Sequence, residues 1–160
     1  MIFVTVGTQD KTFERLFKEI ERLCEAKIIN EEVIAQTGCT KVNSKYIKAY
    51  SFFEKKEDYD KCLNDARVVI THGGVGSILG AIINNKKVIA VPRLSAYKEH
   101  TNDHQTQIVK RYDEDGYIIG VDNPEDIADA LKKVDKFKPK KYVKDNSKMI
   151  KLIEEYIENN

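Results

Sequence analysis

Short runs of apolar, β-branched residues recur along this chain, and between them apolar residues return every three or four positions. That alternation constrains the fold more than any other feature. Ile2 to Val6 stops at Gly7, and Phe13, Leu16, Phe17, Ile20 and Leu23 then repeat at helical spacing. Glu32 to Gln36 and Tyr46 to Tyr50 read as two strands with turn residues Gly38 and Asn43 between them, and Tyr59, Cys62 and Leu63 mark a helix. Arg67 to Thr71 is a buried strand that precedes a glycine-rich turn, and Ile78, Leu79, Ile82 and Ile83 form the apolar face of the next helix. Lys87 to Val91 is a strand stopped by Pro92. A polar loop follows to Asn102, then a helix with Ile108 and Val109, a strand at Tyr117 to Val121, and a helix opened by Asn123-Pro124.

Strands alternating with helices imply a mostly parallel sheet covered on both faces, with right-handed crossovers. The expected fold is therefore α/β: a single Rossmann-like domain, residues 1–160, with an open sheet of about six strands. At 160 residues one domain accounts for the whole chain. After a short connection at 137–141, residues 142–158 read as a last helix, with apolar positions Met149, Leu152, Ile153, Tyr156 and Ile157 able to dock on its own domain or on a partner.

Charge narrows the function classes. Lys and Arg number 27 against 26 acidic residues, a balance that gives no reason to expect nucleic-acid binding. Nine lysines between Lys132 and Lys151 form either a solvated face or an attraction for an anionic surface. Cys24, Cys39 and Cys62 are an odd set without CxxC spacing, which suggests neither a disulfide framework nor a zinc site and fits a reducing cytoplasm. The opening MIFVTVG has no basic leader and is too short to span a bilayer, so any membrane attachment is expected to be peripheral.

In open parallel sheets ligands bind at the carboxyl ends of the strands, where the strand order reverses. The loops at that edge carry the candidate residues. Gly7 and Thr8 lie between the first strand and first helix, where free N–H groups and a helix dipole favour an anion, and Gln9 adds an amide donor. Thr71-His72-Gly73-Gly74-Val75-Gly76-Ser77 removes side chains at three positions, either to make room for a ligand or to form a tight turn. Beyond Pro92, Arg93 is placed to meet a phosphate or to hold its loop through Glu99. Asp103 and Gln105 can bond sugar hydroxyls, and Asn102 or Asp103 can cap the helix that follows.

Other chemistries fit poorly. There is no GxxxxGK[ST], no complete GxGxxG opening the first helix, and Ser77 in GVGSI does not form a GxSxG elbow. His100 and His104 are four apart, but without HExxH or a DxD pair no metal is expected.

The ordered set MIFVTVGT, THGGVGSI, VIAVPR, EH and NDHQ resembles the glycosyltransferase family 28 C-terminal domain, the donor domain of MurG. The resemblance covers roughly residues 1–135. It is greatest for the small stand-alone members, among them the PssE- and EpsF-like subunits of exopolysaccharide or capsule synthesis and the catalytic subunit of the dolichol-linked GlcNAc transferase.

That resemblance implies the donor half of a GT-B enzyme transferring a hexose (galactose, glucose or GlcNAc) from a UDP-sugar to a lipid-linked acceptor, with no cofactor or metal. A membrane-anchored, acceptor-binding partner subunit would hold the chain at the inner face of the membrane. It further implies that Gly7, Thr8 and Gln9 contact the diphosphate, that His72, Gly73, Gly74, Gly76 and Ser77 line the donor crevice, and that Gln105 meets the donor sugar beside Asp103 and His104. His72 is the candidate base, although the partner could supply one. Gly80 stands where MurG-like members carry a ribose-binding glutamate, so that contact is expected to be missing or supplied elsewhere. The alternatives are a non-catalytic enhancer or nucleotide-binding subunit of the same assembly, and a UDP-sugar epimerase-like protein.

Overall fold

The computed structural model describes residues 1–143; the expected last helix at 142–158 lies almost wholly outside them. Six strands form one all-parallel sheet: β1 (Ile2–Thr5), β2 (Val33–Gln36), β3 (Ile47–Tyr50), β4 (Val68–His72), β5 (Lys87–Val91) and β6 (Ile119–Gly120). Their order is β3-β2-β1-β4-β5-β6, with every neighbour pair parallel. The order reverses between β1 and β4.

Five helices cover the sheet: α1 (Glu14–Glu25), α2 (Lys56–Asp65), α3 (Val75–Ile83), α4 (His104–Glu114) and α5 (Ile127–Val134). One core, on the α1 and α5 side, gathers Ile2, Val4, Leu16, Ile20, Val33, Ile70, Ile89 and Ile127; the other gathers Phe3, Leu63, Val69, Ile78, Val88 and Val109. Residues of opposite parity on each strand thus go to opposite faces. This is the period-2 rule operating in a sheet buried on both sides.

The structure departs from strict alternation once. β2 and β3 are joined by residues 37–46 without a helix, and Val42 and Tyr46 pack from this crossover onto the core. Two boundaries bear on the site. α1 starts at Glu14, well after the end of β1, and β4 runs one residue beyond the predicted Thr71 to include His72, paired with Val91. The last described turns begin with a capping box between Asn123 and Asp126, which starts the 3-10 turn leading into α5. No described helix is long and apolar enough to cross a membrane.

Candidate functional site

Next to the reversal point an open cleft of about 370 Å³ lies at the carboxyl ends of β1 and β2, bordered by Thr5 and Gln36 and by the first turn of α3. Thr5, Gly7, Thr8, Gly76 and Ser77 line it, together with Phe53, Lys55, Lys56 and Tyr59. Its size is ordinary for a ligand cleft. Larger clefts lie elsewhere, at about 460 Å³ between α4 and α5 and about 450 Å³ beside Arg15 and Tyr97. The first is lined by Asp113, Asp122, Asp126 and Asp129 against Lys110 and Lys133, and so repels a polyanion.

Phe53, Lys55, Lys56 and Tyr59 did not emerge from sequence reading. A chain of aromatic contacts brings them in: Tyr59 meets Phe3 edge-on at 5.3 Å, and Phe53 lies 5.9 Å from Tyr59 and 5.0 Å from Tyr50. Phe3 belongs to β1, so the β3–α2 loop is anchored to the strand that carries Gly7. The Phe52-Phe53-Glu54-Lys55-Lys56 run, aromatic then basic after a strand, was the available signal.

The glycines divide by role. A Cβ on Gly73 would lie 2.7 Å from the Gln105 Cβ and 2.9 Å from its carbonyl oxygen, and one on Gly74 would lie 2.3 Å from the His72 Nε2. These two make room for the protein itself. Gly7 has φ +71° and a Cβ there would meet the His72 ring at 2.8 Å, whereas Gly76 and Gly80 face open space. Gly73→Ala is therefore expected to cost about 2 kcal/mol by overpacking, while Gly76→Ala leaves stability equal or up to about 1 kcal/mol higher through helix propensity. Urea unfolding of the two variants checks this pair; equal losses would overturn it.

Helix placement alters the expected anion chemistry. Because α1 begins only at Glu14, its dipole does not act at Gly7–Gln9, since that effect is confined to the first turn. α3 begins at Val75, so Gly76 and Ser77 are in its first turn, beside the cleft. The N–H groups of Gly7, Thr8 and Gln9 donate to no acceptor among the described residues.

Two buried side chains knit the loops. Gln105, only 4% exposed, accepts from the Gly73 N–H and the Arg93 N–H, both at 3.1 Å. Its carbonyl oxygen is thereby committed to the backbone. Arg93 is fully buried: Nη2 donates to Val6 O at 2.9 Å, and Nη1 to Lys11 O at 2.8 Å, Thr12 O at 3.4 Å and Glu99 O at 3.3 Å. The Glu99 carboxylate pairs with Arg15 instead, through Nε at 2.7 Å and Nη2 at 2.9 Å. The expected Arg93–Glu99 tie therefore runs through the Glu99 backbone, because Arg15 from α1 has taken the side chain.

The remaining candidates sit on the rim. Gln9 Nε2 and His100 Nε2 are 3.2 Å apart, bridging the first and third loops. Asp103 is the N-cap residue of α4 by position, but its Oδ1 accepts from Ser95 N at 2.8 Å, and Asn102 Oδ1 accepts from His104 N. His104 is exposed at the start of α4. Among the described residues no three His, Cys, Asp or Glu side chains converge as metal ligands.

His72 is 6% exposed beneath the Gly7 and Gly74 loops. Burial, with the Arg93 cation adding to it, pushes its pKa down to about 4, against the pull of the Thr5 backbone. The imidazole is neutral at pH 7. A general base works best with a pKa near the working pH, and this one lies roughly 3 units below.

The glycosyltransferase family 28 C-terminal domain matches residues 1–158. The chain belongs to that family. Among solved structures it is similar to ALG13, at 20% identity and TM-score 0.62 over 94% of this chain and 93% of that one. It is also similar to CalG4, the calicheamicin glycosyltransferase, at 18% identity and TM-score 0.57, and to the glycosyltransferase SnogD from Streptomyces nogalater, at 16% and 0.57. Each of those two alignments covers 83% of this family 28 chain, which spans only 34% of their length. No curated protein matches it.

Proposed function

We propose that this chain is the donor-binding subunit of a two-component glycosyltransferase. It transfers a hexose from a UDP-sugar to a lipid-linked acceptor in cell-surface polysaccharide synthesis, and a membrane-bound partner supplies the acceptor side. The observation that carries this reading is the cleft at the carboxyl ends of β1 and β2 beside the first turn of α3. The unpaired N–H groups of Gly7 and Thr8, the first turn of α3 and Lys55 border one space, a combination suited to a diphosphate, while Lys56 on the same wall has its ammonium paired with Asp60. Phe53 and Tyr59 on the same wall offer stacking surfaces for a base.

Leaving-group stabilisation in this scheme comes from fixed N–H dipoles and lysines, without a metal. The proton acceptor for the incoming hydroxyl comes from the partner, which is why His72 can remain neutral and buried. That same feature favours, as a second reading, a subunit that binds nucleotide without performing chemistry alone.

Calorimetric titration with UDP and UDP-sugars, with and without Mg²⁺, tests the proposal. Metal-independent UDP binding is expected, and Gly76→Leu, which projects into open space and leaves the core untouched, should abolish it. Undiminished binding by Gly76→Leu would place the nucleotide elsewhere. Transfer assays with and without the partner then separate the two readings.

A further inference from the structure

Arg93 has no carboxylate partner among the described residues, although it is fully buried. A buried cation normally requires one. The adjacent Glu99 is 4% exposed and bound on both oxygens by Arg15, with Leu94 N donating to Oε2 at 3.0 Å. His72 is neutral at pH 7. The cluster of Arg15, Glu99 and Arg93 therefore holds two cations and one anion. In addition, the Arg93 Nε is buried without an acceptor. A guanidinium stays protonated under these conditions, so one positive charge is left uncompensated beneath the first loop.

The contacts also have a direction. Arg93 draws in the carbonyls of Val6, Lys11 and Thr12, on both sides of the segment 7–10. In a planar trans peptide the N–H points opposite to the carbonyl, so holding Val6 O inward turns the Gly7 N–H away from the core. The same side chain fixes the loop geometry and supplies the field.

We propose that Arg93 is a positioning residue for anion binding: it touches no ligand, but it turns the Gly7 N–H outward, pins the loop at both ends, and provides a buried charge that a bound diphosphate offsets. The proposal rests on the reading of the cleft as a nucleoside-diphosphate site. It makes the affinity of that site depend on the net charge of the cluster in both directions. Arg93→Met should weaken binding about tenfold or more, and Arg93→Lys, which keeps the charge and loses the fork of donors, should restore part of it. Glu99→Gln adds one net positive charge without removing a contact between Arg93 and the loop. It should tighten binding about threefold, even though it loosens the Arg15 pair and lowers stability.

Calorimetry with UDP and with inorganic pyrophosphate on the full chain and these three variants decides the matter. Opposite shifts in Arg93→Met and Glu99→Gln are the expected result. Parallel weakening, in proportion to lost stability, would reduce Arg93 to a structural role and overturn the inference while leaving the nucleotide reading intact. Wild-type protein that binds neither probe would remove both. If Arg93→Met does not fold, the contrast between Arg93→Lys and Glu99→Gln carries the same signs.

Discussion

Gln105→Ala is expected to lower the unfolding free energy by about 4 kcal/mol, because it leaves the Gly73 and Arg93 N–H groups buried and unpaired at about 2 kcal/mol each. In a domain whose total stability is about 5–15 kcal/mol that is a large fraction. On the family resemblance, Gln105 meets the donor sugar. Its side-chain Oε1 also joins the β4–α3 and β5–α4 loops, so its loss is expected to act on stability as well. Gln105→Glu retains an acceptor for both amides and should lose less than Gln105→Ala. Chemical denaturation of both variants provides the measurement. A loss below about 1 kcal/mol for Gln105→Ala would mean that water reaches the two amides.

The second large effect is a pH dependence centred on His72. Its folded pKa of about 4 lies below the unfolded value of 6.5, so between these limits the unfolded chain binds the extra proton. Stability from this residue is fully present above pH 6.5 and is lost as pH falls toward 4, with a total of about 3 kcal/mol. Glu31, whose pKa is lowered by its bond to Arg67, titrates in the folded protein below the ordinary carboxylate range and acts at more acid pH. The two windows are thus separable. Unfolding measured from pH 7 to 4 should fall more steeply in the wild type than in His72→Asn, and superimposable slopes would show that the imidazole is not desolvated. If a partner or ligand closes over the cleft, its charge will shift this window, and a bound diphosphate should raise the His72 pKa by offsetting Arg93.

Strand positions and the α/β class were legible from the residues because apolar periodicity is a local property. Five of the six strands fall within one residue of the predicted runs at each end, and β6 contracts to Ile119–Gly120. The same reasoning placed the candidate loops at the carboxyl ends, the edge at which open parallel sheets bind ligands. What local pattern could not contain was the partner of each polar group. Sequence spacing cannot show that Arg15, 84 residues from Glu99, takes its carboxylate, or that Arg93 reaches back to Val6. Nor does a glycine's presence reveal whether it makes room for a ligand or for a neighbouring side chain. Gly73 and Gly76 look alike in the chain, yet one is pressed against α4 and the other faces open space, because packing brings α4 to the first and not to the second. The periodicity of the residues determined the sheet, its helices and the edge that carries the candidate loops; long-range contact alone decided which polar side chains hold that edge together.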